Sequence, residues 1–147
     1  MHALGIDYGE RRIGLAYGDE IGVATPLKAA VQPTRAERID FIAETIRQRR
    51  IDRLVVGYPY NMDGTIGFKA REVDTFIAEL EERFHLPVER VDETLTSVQA
   101  QGAVKNRKRS LASAKKTRAT GEIDSTAASL ILQDYLDRTL ELPPSDY

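Results

Sequence analysis

The chain contains no cysteine and no tryptophan, and among its 147 residues only two histidines, His2 and His85. Without cysteine there is no disulfide, no thiolate zinc site and no cysteine nucleophile, and a reducing compartment is the natural setting. Two histidines leave little room for imidazole-rich metal sites or for serine nucleophiles that need a histidine base. No apolar run approaches the ~20 residues that a membrane-spanning helix needs, and the first residues lack the basic start, apolar middle and small-residue cleavage site of a secretory signal. These absences predict a cytoplasmic protein with no membrane partner. Any chemistry it performs has to rest on carboxylates.

What is present suits one globular domain spanning residues 1–147, with 41% hydrophobic and 30% charged residues. Charge is unevenly placed. Residues 94–121 hold seven basic side chains (Lys105, Arg107, Lys108, Arg109, Lys115, Lys116 and Arg118) and no acid, so against a chain total of −2 the remainder carries −9. A basic stripe in an otherwise acidic chain predicts contact with a polyanion; the same composition also suits a solvated loop.

Three strands open the chain, at about 3–8, 11–18 and 22–32, joined by short turns into an antiparallel meander. Thr34 and Glu37 form a capping box at the head of a helix whose stripe is Ile39, Ile42, Ala43 and Ile46, ending near Arg50. Leu54 to Gly57 is a short, fully apolar strand of the kind found inside a parallel sheet. After a loop rich in Pro, Asn, Asp and Gly, a helix over about 67–84 carries Val73, Phe76, Ile77, Leu80 and Phe84 on one face. A fifth strand, 87–92, leads to a short helix from Thr96 to Ala103 and then to the basic segment, read as a flexible loop. The last helix starts near Asp124 with Ala127, Leu130, Ile131 and Tyr135 inward. This order predicts an α/β fold: a five-stranded mixed sheet, antiparallel over its first three strands and parallel afterwards, flanked by helices.

In GIDYGERRIG, Asp7 interrupts an apolar strand, and glycines at 5, 9 and 14 allow a partner close to the backbone there. Asp92 and Glu93 end the last strand, and Asp124 begins the last helix. Ends of neighbouring parallel strands lie side by side, so these acids can meet. Clustered carboxylates repel unless a cation binds, and all-oxygen ligands favour Mg²⁺ or Mn²⁺. Such a site can hydrolyse phosphodiesters. Each acid also has a plainer role: Asp7 in a turn, Asp124 as a helix cap, Asp92 and Glu93 as solvated edge charges.

Four stretches, GIDYGERRIGLAYGD, LVVGYPYNMDGTIG, VDETLTSVQA and EIDSTAASLILQDYL, resemble in collinear order the motifs of the YqgF family, also called the RuvX or Holliday-junction-resolvase-like family, of the ribonuclease H-like fold. The resemblance covers about residues 3–137. It implies a cytosolic bacterial nuclease of precursor ribosomal RNA, associated with maturation of the 5′ end of 16S rRNA and linked to ribosomal particles, and historically proposed to resolve Holliday junctions. By motif position it implies that Asp7, Glu93 and Asp124 are the catalytic, metal-binding acids. Thr94 stands where an arginine commonly follows the acidic pair, and Tyr58 and Tyr60 stand where leucines are usual.

Further candidates each carry two readings. Arg11 or Arg12 can meet a phosphate or form a surface ion pair; Tyr8 can stack on a base or pack internally; Asn61 and Asp63 can position substrate or simply make a turn. Thr96 and Ser97 read as caps, and the two histidines as surface or helix-end residues. Against the nuclease stand a resolvase of branched DNA, a non-catalytic nucleic-acid or ribosome-binding module, and a phosphate-binding element of the actin-like ATPases, which needs two such domains. A monomer and a homodimer both remain compatible with the sequence.

Overall fold

A computed structural model of the chain describes residues 1–59, 67–92 and 125–140. In chain order the elements are β1 (His2–Asp7), β2 (Ile13–Asp19), β3 (Thr25–Ala30), α1 (Arg35–Arg49), β4 (Arg53–Tyr58), α2 (Phe68–Phe84), β5 (Val88–Asp92) and α3 (Thr126–Leu140). They build one five-stranded sheet in the order β3-β2-β1-β4-β5. β2 is antiparallel to both β1 and β3, whereas β1, β4 and β5 are parallel, as the element order predicts. The short helix expected at 96–103 and the basic loop lie outside the described residues. Among the described residues no helix is long and apolar enough to cross a membrane.

Alternation along the strands sends side chains to two cores. Leu4, Ile6, Leu15, Leu54 and Val56 face α1 and α2, meeting Ile39, Ile42, Phe76, Ile77 and Leu80. Ala3, Ala16, Val55 and Val91 face the other way, against Ala128, Ile131, Leu132 and Leu136 of α3. The first face is lined by large residues and the second by small ones, so α3 settles close to the sheet. An added Cβ at Gly5 would lie 2.7 Å from Leu132 Cβ and 2.9 Å from the Ala128 carbonyl oxygen.

Local signals set most boundaries. The Thr34 side chain accepts the Glu37 amide at 3.1 Å, and Arg50 closes α1 in the left-handed region at φ 53°. The expected third strand starts three residues late, at Thr25 rather than 22. Ahead of it, Asp19 takes the amides of Ile21 and Gly22, the latter at φ 90°, and Ala24 donates to Gln133 of α3, so these backbone groups are spent on a turn. The inward stripe of α3 also differs from the expected one. Ile131 is buried as expected, but Ala127 is exposed and Leu130 and Tyr135 are half-buried, while Ala128, Leu132 and Leu136 are fully buried. Both stripes have helical spacing; the line over the glycines wins because the closest packing is available there.

Candidate active site

Asp7 is the last residue of β1 and is half-buried. It pairs across the ladder with Gly14, which has no side chain to crowd it. In strand parity it belongs with Ala3 and Gly5, on the α3 face. Two of the glycines around it serve the protein's own packing. Gly5 admits α3, and a Cβ at Gly9 would stand 2.5 Å from the Arg12 carbonyl oxygen, so the β1–β2 turn closes on itself. Arg12 is exposed in that turn.

Asp92 falls on the opposite face. It is in register with Tyr58, whose side chain is buried in the α1/α2 core, while its neighbour Val91 packs with α3. Asp92, the last residue of β5, therefore has the wrong parity to join Asp7. Glu93 and Asp124 lie outside the described residues, as do Lys105, Arg107, Lys108, Arg109, Lys115, Lys116 and Arg118. Tyr60, Asn61, Asp63, Thr94, Thr96 and Ser97 are outside them too. Among the described residues no three histidines, cysteines or acids gather into a metal-binding group.

Sequence reasoning gave no special role to Ser125, which is fully buried and accepts the Leu15 amide at 3.2 Å. The β2–β3 register shifts between Ile13 and Leu15, and this side chain takes an amide at that irregularity. Leu15 neighbours Gly14, the cross-strand partner of Asp7. The chain therefore enters α3 at the Asp7 end of the sheet and runs away from it, past Gly5 and Gly18. The partly positive N-terminus of α3 lies toward the Asp7 end of the sheet. Nothing in EIDSTA names Leu15 as a partner of Ser125.

Tyr8 turns to the other side, its ring 4.4 Å from that of Phe76, so internal packing is its role on that face. Its hydroxyl accepts from Arg35 Nη1 at 2.8 Å, and Arg35 Nη2 also reaches Glu79 at 2.6 Å. The bonds to Glu79, first, and to Tyr8 raise the Arg35 pKa above its ordinary value. The residue following Asp7 is thus tied to the start of α1 and the middle of α2. Tyr58 is a core residue whose hydroxyl donates to Asp74 at 2.8 Å. The histidines have local roles: His2 Nδ1 lies 2.7 Å from the Tyr17 hydroxyl, and His85 closes α2 in the left-handed region.

A sequence profile of the RuvX family, described as Holliday junction resolvase, matches residues 1–138. A protein of Opitutus terrae, provisionally named a pre-16S rRNA nuclease, is 51% identical over 144 residues, which is 97% of this chain and 96% of that one. A protein of Syntrophus aciditrophicus with the same provisional name is 40% identical over 148 residues, covering 99% of this chain and 95% of its own. Among solved structures, RuvC of Thermus thermophilus superposes with a TM-score of 0.54 at 17% identity, covering 96% of this chain and 97% of that chain. The same protein in complex with a Holliday junction gives a TM-score of 0.54 at 16% identity, covering 95% and 96%. At such identities the likeness is one of fold.

Proposed function

This chain belongs to the RuvX family, and from that premise we propose that it is a metal-dependent nuclease that hydrolyses phosphodiester bonds in maturing the 5′ end of the 16S ribosomal RNA precursor. The observation that carries the reading is the end of the sheet at which Asp7 sits. The Ser125 hydrogen bond to Leu15 brings the start of α3, and with it the residue after Asp124, to within one ladder position of the Asp7–Gly14 pair.

Asp7, Glu93 and Asp124 are the residues that would hold a divalent cation. The donor set is all carboxylate oxygen, which fits Mg²⁺ or Mn²⁺, and Asp7 is half-buried opposite a glycine. Glu93 is preferred to Asp92 because Asp92 shares the parity of the buried Tyr58. The chemistry a bound ion supplies is activation of a water and stabilisation of the leaving oxygen. The protein's part is to fix the acids. Asp7 is fixed by its ladder, by the close seat of α3 on Gly5, and by the anchoring of Tyr8 through Arg35. Arg12 and the cations Lys105, Arg107, Lys108, Arg109, Lys115, Lys116 and Arg118 supply the positive charge that draws a polyanion to an acidic site. The reading places the protein in the cytosol as one domain, acting on RNA within ribosomal precursor particles.

The test is incubation of wild type and Asp7→Asn with precursor rRNA and, in parallel, four-way junction DNA, each with Mg²⁺, Mn²⁺ or a chelator. Wild type is expected to cut the RNA in either metal and not in chelator, and Asp7→Asn, folded by circular dichroism, to cut neither. Cleavage confined to the junction would move the substrate to branched DNA. Wild-type turnover by Asp7→Asn would remove the site assignment.

A further inference from the structure

Of the large apolar side chains that stand exposed among the described residues, Phe68 is the single aromatic, 80% accessible at the first position of α2. The core does not use it. α2 is held by Ala70, Val73, Phe76, Ile77 and Leu80, all buried. An isolated exposed apolar residue is ordinary, so the information lies in its surroundings. Phe68 shares one open groove with Tyr8, Glu10, Arg11, Lys69 and Glu72. Arg11 and Lys69 are exposed, and no ion pair among the described residues engages either. Glu10 and Glu72 balance them in formal charge, so the groove by itself does not attract a polyanion. What it offers is an aromatic face with donors and acceptors at its rim. Those are the groups that recognise a nucleobase: stacking on the ring, carboxylates for exocyclic amines, and cations for the flanking phosphates.

The groove begins where the acidic site ends, because Tyr8 follows Asp7 directly and faces the other side of the sheet. A strand bound at Asp7 that passes over the β1–β2 turn arrives at Phe68. A base inside a duplex has both faces covered by its neighbours, so only an unpaired one can stack on a protein ring. We propose that the groove of Phe68, Arg11 and Lys69 receives an unpaired nucleotide of the nucleic acid held at the Asp7 site, with its base stacked on Phe68. This rests on the nuclease reading above and adds to it a demand for single-stranded character beside the cut.

The experiment uses the full chain and two duplex probes, one blunt-ended and one with a single-stranded extension carrying 2-aminopurine, with affinity read by anisotropy and stacking by quenching of the 2-aminopurine. Wild type quenches the probe. Phe68→Ala is expected to bind the extended duplex roughly 5- to 150-fold more weakly and to lose the quenching. The blunt-ended duplex should change less than about twofold, with the salt dependence of both unaltered because Phe68 is neutral. Phe68→Tyr keeps a π face and should restore binding and quenching, which separates stacking from any folding defect. Retained quenching in Phe68→Ala, an equal loss on both probes, or wild type that never quenches each overturns the inference. Cleavage of the same duplexes is followed in parallel. A wild type that quenches but cuts nothing overturns the nuclease reading alone.

Discussion

Replacing Gly5 with alanine tests the seat of α3, on which the geometry of the acidic end of the sheet depends. Gly5 does not have the left-handed backbone that would exclude a side chain; among the described glycines only Gly22 does. An alanine there is therefore free of backbone strain, and by restricting the unfolded chain it would stabilise by about 0.4–1 kcal/mol. Against this, its Cβ would lie 2.7 Å from Leu132 Cβ and 2.9 Å from the Ala128 carbonyl oxygen. Carbon atoms prefer about 3.5–4.0 Å, so α3 has to lift by on the order of 1 Å. Neither neighbour can rotate away, since one is a side-chain stem and the other is backbone. Overpacking costs about 1–3 kcal/mol, and this rigid case belongs at the upper end. The balance is a loss of about 1–2.5 kcal/mol, read as a fall in Tm of roughly 2–10 °C with an unchanged urea m-value. Gly18→Ala is the control. Its new Cβ would meet Leu136 Cδ1 at 2.7 Å, the movable end of a side chain, so its loss should be smaller. A Gly5→Ala protein as stable as wild type, or a Gly18→Ala protein that loses more, would refute the close seating of α3.

Asp92→Asn should leave cleavage within about twofold of wild type while Glu93→Gln abolishes it, because Asp92 has the parity of the α1/α2 face; the reverse result in a single-turnover assay would exchange the two acids. Changing Lys115 and Lys116 together to alanine should flatten the slope of log affinity against log salt by up to roughly 1.4–1.8, whereas Asp7→Asn should leave it nearly unchanged. A wild-type slope in the double variant would make those lysines a solubilising surface. Tyr58→Phe removes the hydroxyl that donates to Asp74, which is only half-buried and also lies 3.5 Å from Arg90, so the expected loss is about 1 kcal/mol and a Tm lower by roughly 2–4 °C. No change in Tm would show that water replaces that bond at no cost.

The described elements and their order were legible in the sequence. Apolar alternation in GIDYGERRIGLAYG, the helical stripes of α1 and α2, and the Thr34–Glu37 capping box are relations between residues a few positions apart, and each predicts its element locally. The mixed sheet follows from them, since short turns force antiparallel neighbours and helical crossovers allow parallel ones. Asp7 was legible as a site candidate because a carboxylate at the end of a buried strand stands out in any chain. Which stripe of α3 turns inward, why Gly5 and Gly9 must be glycine, and that Asp92 falls on the face opposite Asp7 emerge only from the tertiary packing. The stripe depends on a close approach to strands more than 100 residues earlier, as the Ser125–Leu15 bond spans 110 positions. The parity of Asp92 depends on its register with Tyr58, which β5 acquires only on pairing with β4. Periodicity gives the direction of a side chain relative to its own strand or helix. What lies in that direction is set by packing between distant segments, and no local pattern encodes it.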